Sequence, residues 1–280
     1  MSDHDRPPEL ITSRRNPLVA RLRALHQPKG RREQGLLLLE GTHLLQEVLR
    51  LGLPPEHLLA SETWLERHRP LLAAGGLTAQ PVGEEVLRAV ATTEHPDGVV
   101  LTLPAAALPR ASGRGSFVLA LDQLQDPGNL GTLLRTALAA GVEEVWLGGG
   151  ADPLQPKVLR ASAGAALALP LRRESDRDGL LPLLEAAHAA GHQLVATLVE
   201  GGSGAGSQAP IPYWQLDWTR PTVLLLGNEG AGLHPELAAL ASHRVTIPHS
   251  SAVESLNVAV AAGPLLLERW RQQRQRAAIP

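Results

Sequence analysis

The sequence predicts an α/β protein in two parts, a small mixed unit followed by a larger one with a parallel sheet. Three observations point there. Strand-like and helix-like segments alternate along the chain, several helices stop at a glycine, and a periodicity-free stretch rich in Pro, Gly and small residues interrupts the alternation once. A sheet built from alternating strands and helices is parallel and covered on both faces, and ligands then sit beyond the carboxyl ends of its strands.

In the first part, Asn16-Pro17 opens an amphipathic helix through Leu25, with Pro17 in its first turn. Gly35 and Gly41 frame the run Leu36–Leu39 as a buried strand. Thr42 is expected to cap a helix over His43–Leu51 that Gly52 ends. Leu58–Ala60, Leu77–Pro81 and Val99–Leu103 read as strands, with helices over Trp64–Ala74 and Glu84–Ala91. These elements make residues 1–104 one unit. Residues 105–115 read as a linker. The second unit, 116–275, runs through strand Phe117–Leu121, helix Leu130–Ala140, strand Val145–Leu147, a helix over Lys157–Ala166, helix Leu180–Ala190 and strand Leu194–Leu198. A flexible Gly201–Gly206 loop follows, then strand Val223–Leu226, helix Pro235–Ala241, strand Val245–Ile247 and a last helix from Ser255.

Composition excludes several classes. With 280 residues, 44% hydrophobic and 19% charged, the chain can bury a core and is not disordered. Without cysteine there is no disulfide framework, thiolate catalysis or cysteine-ligated zinc. The start MSDHDRPPEL lacks the apolar core of a signal peptide, and no apolar run approaches the roughly 20 residues a bilayer needs, so a cytoplasmic protein without membrane association is expected. No metal site is expected either. His188 and His192 have i, i+4 spacing, but Gly191 ends that helix and no third ligand is evident, so both are read as solvent-facing.

The net charge of −2 does not advertise a polyanion partner, but its distribution does. Arg14, Arg15, Arg21, Arg23, Lys29, Arg31 and Arg32 follow one another without an acidic residue, beside a helix start and a loop. A solvated helix face would look the same; phosphate contact is the functional alternative. One Phe and one Tyr nearly exclude aromatic base-stacking platforms.

Three segments stand at strand ends. Asp126-Pro127-Gly128-Asn129-Leu130-Gly131 leads into Arg135-Thr136-Ala137; an ordinary turn capped by Asn129 explains its start. It does not explain Arg135, a lone cation among Leu, Thr and Ala that calls for an anion. Gly227-Asn228-Glu229-Gly230-Ala231-Gly232 follows a buried strand. Its glycines let backbone approach a ligand, and a carboxylate among them is a poor packing choice. Neither the G-x-G-x-x-G spacing nor a P-loop occurs, which disfavours a nucleotide-dependent oxidoreductase. In Glu254-Ser255-Leu256-Asn257-Val258, Ser255 could cap the helix, whereas Asn257 interrupts a small apolar face.

In this order and spacing the three segments resemble the motifs of the SpoU (TrmH) family of RNA ribose 2′-O-methyltransferases of the SPOUT superfamily, over roughly Phe117 to Trp270. Asp152-Pro153, Pro156-Lys157 and Arg160–Ala165 resemble the family's middle section. Ser13, Asn16-Pro17 and Leu39-Glu40-Gly41 are similar to the substrate-binding domain often fused to it, a ribosomal-protein-like α/β fold. The resemblance implies a deep trefoil knot in the parallel-sheet domain, bent S-adenosyl-L-methionine in the knot loops, and a homodimer. It assigns Gly227, Ile247 and Leu256 to the cofactor, and Asn129, Arg135, Glu229, Ser255 and Asn257 to catalysis. It gives Arg14, Arg15, Arg21, Lys29, Arg31 and Arg32 an RNA to bind.

The implied activity is 2′-O-methylation of structured RNA. Ribosomal RNA is preferred because the added domain suits a large folded target; the alternatives are transfer RNA and a non-catalytic RNA-binding module. Ala259, Ala261 and Ala262 with Leu265–Leu267 offer apolar surface for a second copy. Two departures stand out. His249 and Ser251 replace the family's usual Met and Gly, and Pro264 lies inside the last helix, where it should kink it.

Overall fold

The computed structural model describes residues 8–199 and 209–277. The Gly201–Gly206 loop lies outside them. The chain divides into two compact units, one of Met1–Leu108 with Leu154–Leu167, the other of Pro109–Pro153 with Ala168–Pro280. The first therefore takes in a segment that sequence order assigns to the second.

The first unit begins with α1 (Pro17–Ala24), capped by Asn16, whose Oδ1 accepts the Leu18 N–H at 2.8 Å. α2 (Pro28–Gln34) follows where the sequence showed only a loop. It packs so tightly that a Cβ on Gly30 would stand 2.0 Å from the Ala24 carbonyl oxygen. Next come β1 (Leu36–Glu40), α3 (Thr42–Arg50), β2 (His57–Ala60), α4 (Glu62–Gly75), β3 (Gln80–Pro81), α5 (Glu84–Val90) and β4 (Val99–Pro104). The sheet order is β1-β4-β2-β3, antiparallel except for β2 with β3. Thr42 does not cap α3. Gly41 holds that position, and the Asp97 carboxylate takes the Thr42 N–H at 2.7 Å, a cap supplied from 55 residues away.

The second unit opens with β5 (Phe117–Asp122), α6 (Pro127–Ala139) and β6 (Glu144–Gly148). The chain then supplies α7 (Pro156–Ala161) and α8 (Ala165–Ala168). The single helix expected over 157–166 is broken at Ala163 and Gly164, both with positive φ. The break lets Gly164 lie against Glu47, whose Cγ a Cβ would meet at 2.8 Å. The remainder is β7 (Leu171–Glu174), α9 (Leu181–Ala189), β8 (Gln193–Thr197), β9 (Ile211–Pro212), β10 (Thr222–Leu226), α10 (Pro235–Leu240), β11 (His243–Thr246) and α11 (Val258–Ala277). Seven strands in the order β7-β6-β5-β10-β8-β11-β9 pair in parallel throughout. Periodicity missed β7, with its exposed arginines, and the short β9. α11 runs through Pro264 as one helix and packs on α6. Among the described residues no helix is long and apolar enough to cross a membrane.

The stretch expected as a linker is held in place. Ala105–Ala107 forms a 3₁₀ turn, and residues 112–115 wrap around the Glu144 carboxylate, which is 3% exposed. It accepts the Ser112, Gly113, Arg114 and Gly115 N–H groups, the Ser112 hydroxyl and the Trp146 indole N–H. Burial alone would raise this carboxyl's pKa; the bonds from Ser112, Trp146, Gly113 and Arg114 outweigh it and hold the pKa below the usual range. A lowered folded pKa stabilises the protein above the ordinary Glu pKa, and the contribution is lost as pH falls through the folded value. Glu144→Gln is therefore expected to cost about 2 kcal/mol at pH 7 and to flatten the acid limb of stability, read as urea midpoints between pH 3 and 7. An unchanged acid limb would exclude Glu144 as its source.

His192 is not solvent-facing. Its Nδ1 contacts the Ala187 carbonyl at 3.2 Å and its Nε2 the Gly115 carbonyl at 2.9 Å, so both ring nitrogens are engaged within the fold.

Candidate active site

The loops after β5, β10 and β11 meet at the carboxyl edge of the second sheet. There they border a cavity of about 500 Å³, within the range of small-molecule sites. Gly227, Ile247 and Leu256 line it, together with Asn129, Glu229, Ser255 and Asn257. Gly227 must be glycine, since a Cβ there would stand 2.0 Å from the Leu233 nitrogen.

Three side chains form a directed hydrogen-bond chain along one wall. Asp126, not Asn129, is the N-cap of α6, accepting the Asn129 N–H at 2.7 Å. This leaves the Asn129 side chain free to point into the site. The Glu229 carboxylate accepts the Gln125 N–H at 3.1 Å, the Asp126 N–H at 3.0 Å and Asn129 Nδ2 at 3.3 Å. Asn129 Oδ1 in turn accepts Asn257 Nδ2 at 3.0 Å, and Asn257 Oδ1 accepts the Ala259 and Val260 N–H groups.

An ionised carboxylate can only accept, and a helix N-terminus can only donate. The two ends of the chain therefore fix which way both amides face. Burial would raise the Glu229 pKa, but the bonds from Asp126, Gln125 and Asn129 outweigh it and hold the carboxyl below its usual range. Glu229 thus stays anionic near neutrality as the anchor of the chain. Each asparagine keeps a second Nδ2 hydrogen for an incoming oxygen.

Asn257 also corrects the last helix, which starts at Val258 and not at Ser255. Asn257 caps it, so its interruption of the apolar face is the cap itself. Ser255 lies in the preceding loop, exposed at the cavity.

Arg135 is exposed on α6, makes no polar contact among the described residues and does not line the cavity. Of the sequence-assigned basic residues, Arg14, Arg15, Arg21, Lys29 and Arg32 are exposed. Arg31 is not: it is 6% exposed, and its guanidinium donates to the Leu25 carbonyl at 2.9 Å and the His26 carbonyl at 3.1 Å, closing the C-terminus of α1. It is a structural arginine, because an uncapped helix end turned inward needs donors.

Sequence reasoning missed Thr197, at the carboxyl end of β8. It lines the cavity with a buried Oγ1 that has no hydrogen-bond partner among the described residues. Its place at a strand end was the available signal. His249 also lines the cavity, donating from Nδ1 to the Ile247 carbonyl at 2.7 Å, since that oxygen can only accept.

Comparison with known proteins identifies the family. Residues 116–267 match the SpoU rRNA Methylase family and residues 16–101 the MRM3-like substrate binding domain. An uncharacterized tRNA/rRNA methyltransferase of Synechocystis sp. is 46% identical over 269 residues, 94% of each chain. The 23S rRNA (guanosine(2553)-2′-O)-methyltransferase RlmP of Bacillus subtilis is 33% identical over 258 residues, covering 91% of this chain and 97% of that one. An AdoMet-bound rRNA methyltransferase from Sinorhizobium meliloti has the same fold, with TM-score 0.77 and 34% identity over 94% of this chain and 97% of its own. With that match across the whole cavity-bearing region and relatives similar along almost its full length, the chain belongs to the SpoU rRNA methylase family.

Proposed function

We propose that this protein is an S-adenosyl-L-methionine-dependent methyltransferase acting on a ribose 2′-hydroxyl of ribosomal RNA. The observation that carries this reading is the Glu229–Asn129–Asn257 chain on one wall of a cavity also lined by Gly227, Ile247 and Leu256. The residues present fit the cofactor. Gly227, Ile247 and Leu256 would hold it, and the Thr197 hydroxyl, without a partner among the described residues, offers a polar contact inside the cavity.

When bound, the cofactor supplies an activated sulfonium methyl, so the chain's own work is alignment and removal of one proton. Asn129 and Asn257 direct their spare N–H groups at an oxygen of the incoming nucleotide. They are donors there and cannot take the 2′-hydroxyl proton. Ser255 lies beside them. Arg135 grips the phosphate and the hydroxyl with its planar fork, and the 2′-hydroxyl proton leaves to solvent.

We read residues 1–104 as the RNA-binding domain, 105–115 as the connection and 116–275 as the methyltransferase domain with its trefoil knot. Arg14, Arg15, Arg21, Lys29 and Arg32 contact RNA phosphates. Arg14 pairs with Glu85 and Lys29 with Glu33 at 3.8 Å, but pairs this exposed are weak enough for phosphate to displace. The setting is the cytoplasm.

The test is methyl transfer from labelled cofactor to ribosomal and transfer RNA side by side, with mapping of 2′-O-methyl sites in RNA from a deletion strain. One missing ribosomal site, restored by the gene, is expected. A missing transfer-RNA site would shift the substrate, and no missing site would reject the reading.

A homodimer completes the proposal. Ala259, Ala262, Leu265 and Leu266, which the sequence offered as interface, are buried within the unit; Val260 (64% exposed), Leu267 (45%) and Trp270 (45%) carry the open stripe of α11. Light scattering at micromolar concentration should give twice the chain mass, and a monomer would exclude this interface.

A further inference from the structure

We propose that Asn228 is a positioning residue for the reaction. It fastens the 227–233 loop to the turn between β5 and α6, and so sets where Glu229, and through it Asn129 and Asn257, stand. The inference rests on the methyltransferase reading of the site and concerns a residue that borders the cavity but whose side-chain amide is engaged within the fold at both ends.

The Asn228 amide is used at both ends. Its Nδ2 donates to the Gln123 carbonyl at 2.8 Å, bridging 105 residues of sequence. Its Oδ1 accepts the Gly230 N–H at 2.9 Å and the Ala231 N–H at 3.3 Å, while its backbone exchanges two 3.0 Å bonds with Gly232. One end therefore builds the turn and the other staples the turn to the neighbouring loop. Gln123 supports the same reading from its own side. It has φ +52°, a left-handed conformation that a residue with a Cβ adopts only when its surroundings hold it there. In that conformation its carbonyl receives Asn228 Nδ2 and its own neighbour's Gln125 Nε2 at 3.0 Å.

The staple matters because of what lies beside it. Glu229 reaches across the same gap to the Gln125 and Asp126 N–H groups, from an exposed loop that also contains Gly230 and Gly232. Three bonds to one exposed carboxylate do not by themselves fix such a loop, since glycine leaves its backbone with wide freedom. Asparagine is the side chain that both donates across the gap and accepts within the turn. Aspartate can do only the second, and its charge would face the Gln123 carbonyl.

Asn228→Asp thus separates the staple from the turn. In the full-length protein, hydrogen exchange resolved to single amides should show Gln125 and Asp126 exchanging at least about tenfold faster, with Gly230 and Ala231 unchanged. Asn228→Ala should release all four. In methyl transfer, Asn228→Asp should lower kcat by about 10- to 100-fold and leave KM for RNA within about threefold, as expected of a misplaced reacting geometry. Added to Glu229→Gln, it should cost no more than about a further twofold, because it acts through Glu229.

Unchanged exchange at Gln125 and Asp126, an unchanged kcat, or losses that multiply in the double variant would each overturn the proposal. A wild-type protein that methylates no RNA would instead reject the functional reading. The exchange rates would then still decide whether Asn228 holds Glu229 in place.

Discussion

Arg135→Ala should abolish methyl transfer, by at least about 10³-fold in single turnover, while leaving cofactor affinity within about threefold. The two effects separate because Gly227, Ile247 and Leu256 border the cavity from other loops, and Arg135 does not line it. Arg135→Lys should fail nearly as badly, since lysine keeps the charge but loses the planar fork that can hold a phosphate and a hydroxyl together. The surroundings of Arg135 make the test clean. It is exposed on α6 and has no polar partner among the described residues, so its removal should change stability by no more than about 0.5 kcal/mol. A variant with a wild-type melting curve and no turnover would place Arg135 in the reaction. A well-folded Arg135→Ala protein with substantial activity would remove it. Its position, six residues and about 9 Å along the helix axis from Asn129, means that a role in the reaction would require it to approach the nucleotide from a different side than the two amides.

What could be read from the sequence divides along physical lines. Two of the cavity-lining residues were legible because each breaks a local rule: a carboxylate among glycines at Glu229 and a polar side chain in an apolar run at Asn257; the lone cation Arg135 breaks one too but lies outside the cavity lining. Their partners were not legible, because caps compete. Asp126 and Asn129 are both good N-caps, and only the structure shows that Asp126 wins and frees Asn129 for Glu229. The same competition moved the start of α11 from Ser255 to Val258, with Asn257 as its cap. Charge runs carry no burial signal, so Arg31 could not be told from Arg32, although one closes a helix and the other faces solvent. Nor does a periodic pattern say whose core it faces: residues 154–167 lie within the stretch that matches the methylase family, yet they pack with the first compact unit.

That packing has a large consequence for a chain cut to begin at Ser116. Every residue lining the cavity lies in the second unit, so cofactor binding should belong to that unit alone. The truncated chain would nevertheless carry α7 and α8 without the first unit they pack into. α7 lies on β1, and Arg160 donates to the Thr92 hydroxyl and pairs with the buried Glu40 carboxylate at 3.5 Å. Val158, Leu159 and Leu167, in the same segment, are almost completely buried in the full chain. Exposing three such side chains costs about 5–9 kcal/mol, comparable with the whole stability of an ordinary domain. The truncated protein is therefore expected to aggregate or to melt far below the full chain, and to bind S-adenosyl-L-methionine poorly for that reason. Replacing Val158, Leu159 and Leu167 by polar residues in the truncated chain should restore a soluble species. Calorimetry should then show cofactor affinity within about tenfold of the full-length protein. A truncated chain that is soluble and stable without those replacements would show that 154–167 does not depend on the first unit. A rescued chain that folds but binds no cofactor would show that the first unit contributes to the cavity itself.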